Sequence, residues 1–594
     1  MTPDFLNLAD LLLHRVRETP EAPAYRQHNG REWMDKTWAE VGQEVAHWQS
    51  ALRKENLKPG DRVALCLHNR VEWVLFDQAA LGLGLVTVPL YFDDRPDNMA
   101  WCLNDAGVRL LLLEDSKMWT TLRDQVKTIE RVVCLEATDD GDKKVTGLKA
   151  WLSVEGTGEA ELSRTPLTGV RAAERVQRSG LHLGLQPARS RAVANDLATI
   201  VYTSGTTGRP KGVMLSHRNI LSNVIASMRA IPASPADRFL SFLPLSHMFE
   251  RTCGYYSAIW AGAQTVYARS ITLLADDIRE QKPTILISVP RIFERIYSKM
   301  QEAMAPGSLK RRLFEKATEV GWRRFRGEST FTDKLFWPVL KTLVAKKLYR
   351  RLGGRIRLIV VGGAAFASHL ARVFIGLGLP IIQGYGLTET APVLAANRMG
   401  DNDPASVGRA LEGIELRCDE KGELLARGPC VMLGYWNKPE ATAAMIDKDG
   451  WLHTGDLAAI RGGNVYITGR VKDIIVLSNG EKIPPTDAEQ AILRDSAFEQ
   501  VMVVGEGRPK LGLLAVSKIT NTKELCERAN AQLYDFPGYA RIHYLARVAD
   551  SWTVENGLFT PTLKLKRNEI EKRFAREIEA MYAGPDLYQL KNTG

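Results

Sequence analysis

The sequence lacks paired cysteines, long apolar runs and a basic segment ahead of its first apolar stretch. Its seven cysteines are scattered and none belongs to a CxxC pair, which argues against zinc sites, redox motifs and a disulfide framework. No apolar run approaches the roughly 18 residues of a membrane-spanning helix, and the features of an export signal are missing. We therefore expect a cytoplasmic protein that is neither exported nor transmembrane.

The net charge of +10 is concentrated in one segment. Residues 310–357 contain fifteen Lys or Arg against four Asp or Glu, with apolar side chains interleaved at helical spacing. This pattern predicts basic amphipathic helices, which are either a subdomain with a solvated basic face or a peripheral contact with anionic membrane. No base-reading motif accompanies the charge, so no nucleic-acid partner is expected. The interleaved apolar residues are Phe314, Trp322, Phe325, Phe331, Phe336, Trp337, Leu340, Leu343, Val344 and Leu348.

At 594 residues the chain is too long for one core, so two or more domains are expected. Helical patterns alternate with short apolar strands over residues 1–135, which is typical of parallel sheets covered by helices. We predict an α/β fold with a large domain at 1–469, a hinge at 470–472 and a smaller, mobile α+β domain at 473–594. The polar segment 137–195 is predicted to be irregular, and Thr486 with Glu489 to form a capping box.

The run from Tyr202 to Gly212 combines hydroxyls, glycines and one lysine in a loop of phosphate size. An apolar strand precedes it and Ser216 can cap a following helix, so strand, loop and helix are predicted. Backbone N–H groups and hydroxyls there can bind an anion, and Lys211 can reach terminal phosphates. The spacing of Gly205, Gly208 and Lys211 does not fit a Walker A loop.

This loop resembles the phosphate-binding loop of the adenylate-forming superfamily, which includes acyl-CoA synthetases, luciferases and peptide-synthetase adenylation domains. Segments 384–390, 450–456, 465–470 and 558–567 follow it and are similar to further motifs of that superfamily. The resemblance implies ATP as a substrate and Mg²⁺ as a cofactor. The implied ATP/AMP-binding residues are Thr203, Ser204, Gly205, Thr206, Thr207, Gly208, Lys211, Gly363, Ala364, Gln383, Gly384, Tyr385, Gly386, Thr388, Asp456, Tyr466 and Arg470.

The resemblance also implies individual roles. Tyr385 would stack on adenine and Thr388 would hydrogen-bond the α-phosphate, while Glu389 with Thr206 would hold Mg²⁺. Asp456 would bind both ribose hydroxyls, and Arg470 would contact ribose and phosphate.

The adenylation lysine of the superfamily corresponds to Lys564, which would bridge the carboxylate and the α-phosphate. Leu563 departs from the commoner glycine before that lysine, and Lys566 is the competing assignment. Lys472 would be the hinge residue. Lys564, Lys211, Glu389 and Thr388 are therefore the implied catalytic residues.

Segments 242–251 and 288–293 resemble long-chain fatty acyl-CoA synthetases more than aryl or amino-acid members. The implied function is an ATP-dependent long-chain fatty acid–CoA ligase that works through an acyl-adenylate. The alternatives are delivery to an acyl carrier protein, activation of a different carboxylic acid, and a non-catalytic binding protein. We find no clear counterpart of a tryptophan gate, so the acyl length stays open. The implied acyl and CoA channel residues are His247, Tyr255, Ser478, Gly480 and Lys482.

Overall fold

The computed structural model describes residues 5, 7–136, 141–153, 194–203, 209–305, 307–471, 473–479, 481–560 and 564–588. The chain divides into two compact units. The large unit comprises residues 1–203, 210–415 and 426–452, and the small unit comprises 204–209, 416–425 and 453–594. The pair of strands that spans 453–470 groups with the small unit, whereas the sequence placed most of it in the large domain.

The strands, numbered along the chain, are β1 (Pro23–His28), β2 (Trp33–Thr37), β3 (Arg62–Cys66), β4 (Val86–Pro89), β5 (Leu110–Asp115), β6 (Arg131–Glu136), β7 (Val145–Gly147), β8 (Leu197–Thr203), β9 (Lys211–Ser216), β10 (Arg238–Ser241), β11 (Gln264–Tyr267), β12 (Ile285–Ser288), β13 (Leu358–Val361), β14 (Ile381–Gly386), β15 (Val393–Ala396), β16 (Arg409–Ala410), β17 (Glu415–Cys418), β18 (Glu423–Arg427), β19 (Gly434–Tyr435), β20 (Leu452–Arg461), β21 (Asn464–Arg470), β22 (Ile475–Val476), β23 (Lys482–Ile483), β24 (Gln500–Val504), β25 (Leu511–Val516) and β26 (Ile542–Val548).

The α-helices span Leu8–Glu18, Trp38–Arg53, Val71–Gly82, Pro96–Ala106, Ser116–Leu122, Leu148–Leu152, His217–Ala230, Ser257–Ala261, Leu274–Gln281, Pro290–Glu302, Leu309–Phe325, Phe331–Leu340, Lys346–Arg351, Ser368–Gly376, Pro439–Met445, Pro485–Ile492, Thr522–Gln532, Arg567–Arg573 and Ala575–Ala583. Glu250–Tyr256 and Lys341–Ala345 are π-helical, and Thr388–Thr390 and Gly538–Ala540 are 3₁₀ turns.

Two sheets rich in parallel strands organise the large unit. One has the order β19-β9-β8-β4-β3-β5-β6-β7, with antiparallel pairing only where β9 meets β8 and β19. The other runs β16-β15-β14-β13-β12-β10-β11-β1-β2 and is parallel from β14 to β1. Its central strands are continuous apolar runs because both faces are covered; all four residues of Leu358–Val361 are buried. The predicted α/β class is confirmed.

The small unit is α+β, as predicted. Its strand β25 pairs antiparallel with β24 and parallel with β26. Alternate residues of these strands enter two separate apolar clusters, as the two-residue period of a strand requires. Val501 and Val503 lie in one cluster, and Met502 and Val504 lie in the other.

The predicted capping box at Thr486 is wrong. The helix begins at Pro485, two residues earlier than a Thr486 cap would allow, and no side chain caps it. Glu489 is therefore inside the helix and almost fully buried, where it accepts a hydrogen bond from the Val503 amide at 2.7 Å and pairs with Arg567 at 2.5 Å.

The predicted irregular segment 137–195 is corrected in part. Residues 145–152 form the short strand β7 and the helix Leu148–Leu152, and β7 pairs with β6. Residues 137–140 and 154–193 lie outside the described residues.

The predicted basic helices are present. Leu309–Phe325 forms one helix, and the chain is helical without a break from Phe331 to Arg351. Among the described helices, none combines the length and apolarity needed to cross a bilayer.

Candidate active site

The predicted phosphate loop joins two antiparallel strands. β8 ends at Thr203 and β9 begins at Lys211, and these two residues are directly paired. The predicted order of strand, loop and helix is therefore wrong, because the apolar residues after Lys211 form a second strand. Only then does Ser216 cap the helix His217–Ala230, accepting the Asn219 amide at 3.1 Å. The loop residues Ser204, Gly205, Thr206, Thr207 and Gly208 lie outside the described residues, so their roles stay predictions.

Close packing around Gly212 explains how β9 accommodates its neighbours. A Cβ atom at this position would lie 2.7 Å from Ile200 Cγ2 and 3.3 Å from Trp436 Cβ. Only glycine fits such an approach. The short strand β19 can therefore pair with β9 on the side opposite β8, and this pairing places Tyr435 beside Val213.

Tyr435 contacts two predicted catalytic residues. Lys211 Nζ lies 5.1 Å from the centre of the Tyr435 ring, within the range of a cation–π contact. The Tyr435 hydroxyl donates a hydrogen bond to Glu389 Oε1 at 2.8 Å. Burial, and then the Glu389 charge, raise the pKa of Tyr435, so the hydroxyl keeps its proton. Nothing in the sequence links position 435 with positions 211 and 389; strand pairing and the 3₁₀ turn bring them together.

The two predicted adenine-site segments lie side by side. β13 and β14 are parallel neighbours with Val361 opposite Gln383, so the loop with Gly363 and Ala364 emerges next to Gly384. Gly363 and Ala364 are exposed, and Tyr385 and Thr388 are half-buried.

Two further residues shape this part of β14. The Gln383 amide donates to the Pro404 carbonyl at 2.7 Å, which holds the strand end in place. At Gly386 a Cβ atom would lie 1.7 Å from the Pro392 carbonyl oxygen, so no other residue fits there.

In the small unit, the predicted ribose-binding residues form an ion pair. Asp456 and Arg470 are cross-strand partners on β20 and β21, and Arg470 Nε donates to Asp456 Oδ1 at 2.9 Å. The Asp456 side chain is 5% exposed, whereas that of Arg470 is 43% exposed. Tyr466 is half-buried on β21, where the Arg461 guanidinium lies 5.7 Å from its ring centre. The arrangement fixes the carboxylate while the guanidinium stays accessible.

Lys564 is hydrogen-bonded to Thr560 in the small unit. The Thr560 amide donates to the Lys564 carbonyl at 2.9 Å, and the Lys564 amide donates to Thr560 Oγ1 at 3.0 Å. Residues 561–563 lie outside the described residues. They include Leu563, which stands where the superfamily motif commonly has glycine. The Lys564 side chain is exposed, whereas Lys566 is half-buried directly before the helix Arg567–Arg573.

The predicted CoA-channel residues belong to a small hairpin. β22 and β23 pair antiparallel with Val476 opposite Lys482, and both Ser478 and Lys482 are exposed. Gly480 and the predicted hinge residue Lys472 lie outside the described residues.

An apolar pocket lies behind β14 in the large unit. It is lined by one face of the π-helix, by the inward side chains of β12 and β13, and by the end of the helix His217–Ala230, and it reaches the backbone of Gly384. Its lining residues are Ser227, Met228, Ile231, Ala233, Phe239, Phe249, Cys253, Ser257, Ile285, Ile287, Leu358, Val360, Gly384, Val393 and Ala396. The predicted channel residues His247 and Tyr255 are not among them.

Tyr255 lies instead in a buried polar cluster on the other face of the π-helix. Its hydroxyl accepts a hydrogen bond from the Gln78 amide at 2.6 Å. At the centre of the cluster, Arg251 pairs with Asp77 at 2.5 Å, and both side chains are fully buried. Arg251 also donates to Thr199 on β8 at 2.9 Å. The cluster thus ties the pocket wall to the strand that enters the phosphate loop.

Glu250, the residue before Arg251, is the buried acid of the π-helix. The carboxyl is 1% exposed, and its Oε2 atom has no hydrogen-bond partner among the described residues. Burial raises the pKa of Glu250 to about 8. The acid is therefore protonated at neutral pH.

Comparison with known proteins agrees with this architecture. A family model described as AMP-binding enzyme matches residues 12–436, and a model for the AMP-binding enzyme C-terminal domain matches residues 472–586. A long-chain-fatty-acid–CoA ligase of Mycobacterium bovis is 30% identical over 97% of this chain and 97% of its own length. A long-chain-fatty-acid–acyl-carrier-protein ligase of Arabidopsis thaliana is 26% identical over 92% of this chain and 82% of its own.

Solved structures share the fold. The A domain of carboxylic acid reductase from Segniliparus rugosus, in complex with AMP, superimposes with a TM-score of 0.74 at 19% identity, covering 98% of this chain and 95% of that one. The chain belongs to the AMP-binding enzyme family. The predicted superfamily is confirmed, while the roles of individual site residues stay predictions.

Proposed function

We propose that this enzyme is an ATP-dependent long-chain fatty acid–CoA ligase. The proposal rests on the substrate class of the long-chain relatives together with an apolar pocket that reaches Gly384, the glycine that opens the segment leading to Thr388 and Glu389. The pocket suits the part of an acyl chain that lies next to the carboxylate. The Mycobacterium bovis relative, matched over nearly its whole length, supports the same substrate class.

In the first half-reaction, a carboxylate oxygen of the fatty acid attacks the α-phosphorus of ATP. The new O–P bond forms as the bond to the β-phosphate oxygen breaks, and pyrophosphate leaves with the electron pair. Lys211 assists the departing phosphates, and Lys564 offsets the negative charge that accumulates at the reacting centre. Asp456 and Arg470 hold the ribose and the phosphate.

In the second half-reaction, the CoA sulfur attacks the carbonyl carbon of the acyl-adenylate. The thioester bond forms, AMP leaves with the electrons of the C–O bond, and the thiol proton passes to solvent. We propose that the small domain turns about Lys472 between the two steps and that Ser478, Gly480 and Lys482 then line the CoA channel. No nucleophilic cysteine of the protein is needed, because the substrate supplies the thiol.

Glu389 is suited to hold Mg²⁺. Its carboxylate oxygens are the hard ligands that this cation prefers, and the Tyr435 hydroxyl fixes one of them at 2.8 Å. When bound, Mg²⁺ neutralises phosphate charge. Thr206, the second proposed ligand, lies outside the described residues.

The main alternative is transfer of the acyl group to a carrier protein. It has specific support, because the Arabidopsis thaliana relative is a ligase of that kind. Activation of a different carboxylic acid is the second alternative.

We also propose a cytoplasmic location, since none of the seven cysteines forms a disulfide.

One assay separates these possibilities. The full-length protein is incubated with ATP, Mg²⁺, palmitate and either CoA or acyl carrier protein, and pyrophosphate and thioester are followed. Pyrophosphate release with thioester on CoA alone is the expected result. Thioester on the carrier protein would establish the alternative acceptor, and no pyrophosphate with any carboxylate would reject the ligase.

The assignment of the adenylation lysine has its own test. Lys564→Ala should suppress acyl-adenylate formation by several orders of magnitude but still convert supplied acyl-adenylate to acyl-CoA, because the lysine acts only at the α-phosphate. Lys566→Ala is the matched control and should retain adenylation. If Lys566→Ala is the variant that loses adenylation, the assignment moves to Lys566.

Substitution of Lys472 should slow thioester formation more than adenylation.

A further inference from the structure

The continuous helix from Phe331 to Arg351 carries large apolar side chains on two faces. Trp337, Leu340 and Val344 face inward and belong to the apolar cluster beneath the helix. The other face is exposed to solvent. Its residues, which we call the Phe331 face, are Phe331, Leu335, Phe336, Val339 and Leu343, with 82%, 64%, 56%, 57% and 43% of their surface exposed.

The spacing of these residues makes a continuous surface. Phe331, Leu335 and Val339 follow one another at intervals of four, so their side chains form a single stripe along the helix. Since the opposite side already contributes to the core, the fold does not need this stripe to be apolar. Contiguous exposed apolar surface of this kind marks an interaction site.

Positive charge surrounds the Phe331 face. The same helix contains six exposed Lys and Arg, and among the described residues none of them forms an ion pair. The single acid of the helix, Asp333, is buried and paired with Arg323 at 2.6 Å, so it does not offset this charge. The exposed cations are Lys334, Lys341, Lys346, Lys347, Arg350 and Arg351.

We propose that the Phe331 face inserts into the interface of an anionic lipid bilayer, with the helix lying in the membrane plane. Apolar side chains on a helix with flanking Lys and Arg enter the boundary between head groups and acyl chains by about 5–10 Å. The flanking cations meet anionic head groups, and their long side chains reach the water layer.

Charge and shape favour lipid over the other occupants. A second copy would place two strongly basic surfaces against each other, since a two-fold contact is made by the same patch on both subunits. A protein partner would need a groove that matches a convex stripe led by two phenylalanines, whereas a fluid interface adapts to that shape. The proposal goes beyond the proposed function and does not depend on it.

Vesicle flotation of the full-length protein tests the proposal. Vesicles contain phosphatidylcholine alone or with about 30 mol% phosphatidylglycerol, in about 0.1 M or 0.5 M NaCl. The apolar variant carries Phe331→Ser, Leu335→Ser and Val339→Ser. Its partition onto anionic vesicles should be at least about tenfold weaker than that of the wild type, because three side chains no longer enter the apolar layer.

Two further variants complete the design. The matched control, Met34→Ser with Ile271→Ser and Leu273→Ser, removes three exposed apolar side chains of the large unit elsewhere and should bind like the wild type. The charge variant, Lys334→Gln with Lys341→Gln and Lys346→Gln, should bind more weakly at low salt and respond less to salt. Unchanged thermal midpoints show that all variants are folded.

Three results would overturn the proposal. The wild type could fail to float with anionic vesicles at low salt. The apolar variant could float as well as the wild type, which would leave charge alone as the cause. An acidic carrier protein could be retained by the wild type and lost by the apolar variant while both bind vesicles equally, which would make the Phe331 face a protein-docking surface.

Discussion

At the scale of single residues, Tyr435 separates two opposite charges of the predicted active site. Its ring lies against Lys211 Nζ and its hydroxyl donates to Glu389. Each charge is thus stabilised by a neutral group, and both remain available to a ligand of mixed charge such as a metal-bound phosphate. A direct ion pair between Lys211 and Glu389 would compete with that ligand.

This role predicts a specific effect of Tyr435→Phe. The change keeps the ring beside Lys211 but removes the hydrogen bond to Glu389, which is worth about 1.5–3 kcal/mol for a charged acceptor. We expect pyrophosphate release to slow by roughly tenfold or more and to need more Mg²⁺ for half-maximal rate. Thioester formation from supplied acyl-adenylate should be unchanged. Equal slowing of both half-reactions would argue that Tyr435 is only structural.

Glu250 predicts a pH-dependent stability. The folded protein keeps this proton up to about pH 8, whereas the carboxyl of the unfolded chain ionises near 4.5. Between these values the folded state binds more protons, so the free energy of unfolding falls as pH rises, by about 1.4 kcal/mol per pH unit. Above pH 8 the loss is complete.

The neutral variant Glu250→Gln removes this dependence. Its stability relative to the wild type should increase from pH 5 to pH 8 and then level off, as measured by thermal or urea unfolding across that range. Glu21→Gln, at an exposed acid, is the control and should show no such trend. A constant difference at every pH would mean that Glu250 is already ionised in the folded protein.

At the scale of elements, the π-helix Glu250–Tyr256 is a wall with two different faces. Cys253, with Phe249 and Ser257 beside the helix ends, lines the apolar pocket, while Arg251 joins the buried polar cluster with Asp77. π-helical turns are frequent at functional sites. Because the polar face is fixed by ion pairing and hydrogen bonds, the apolar face can set the dimensions of the pocket.

Pocket volume should therefore decide acyl length. Cys253→Leu adds side-chain volume to the wall and should lower kcat/KM for palmitate relative to octanoate by roughly tenfold or more, since each methylene that loses its place costs about 1–3 kcal/mol. Met228→Ala enlarges the pocket and should shift the preference toward longer acids. Pyrophosphate release with octanoate, laurate and palmitate measures both shifts.

Cys430→Leu is the matched control for the cysteine change. Cys430 is 1% exposed in the same unit but does not line the pocket. Overpacking there should lower stability without altering the palmitate to octanoate ratio. If each cysteine variant changes the rate of pyrophosphate release with octanoate, laurate and palmitate by the same factor, the pocket does not select chain length.

At the scale of the whole molecule, the fold and the family could be predicted from the order of the motifs and from strong local signals. The sequence predicts strand β13 with its observed bounds, because four apolar residues, Leu358 to Val361, stand together directly before two glycines. The antiparallel pairing of β8 with β9 was not predicted, because Gly212–Ser216 is a short apolar run. The periodicity of such a run does not distinguish a strand from the residues that precede a helix.

Long-range strand pairing and the exposure of individual side chains could not be predicted from the sequence. Tyr435 reaches Lys211 through the pairing of β19 with β9, and no local pattern encodes a contact across more than two hundred residues. In the helix Phe331–Arg351 both faces are apolar, so helical periodicity alone could not tell which face the core covers. The structure divides the side chains that the sequence treated as one set: Leu340 is buried, whereas Phe336 is exposed.

Because the two units have separate cores, we predict that a substitution that destabilises one core leaves the stability of the other unit unchanged. Arg567 forms an ion pair with the buried Glu489 of the small unit. Arg567→Met leaves this carboxylate without its partner and should destabilise the unit by about 3–5 kcal/mol. Hydrogen exchange measured by mass spectrometry should therefore speed up in β24, β25 and β26 but not in β3 to β6 of the large unit.

A second change in the same protein distinguishes ion pairing from general disruption. Arg567→Met combined with Glu489→Gln removes the unpaired charge but keeps an acceptor for the Val503 amide, which Glu489 now binds at 2.7 Å. Exchange in the small unit should return most of the way to wild-type rates, because the neutral amide costs far less to bury than an isolated carboxylate. Faster exchange in both units would show that the two cores do not unfold independently. No recovery in the double variant would show that the Arg567–Glu489 pair is not what stabilises the small unit.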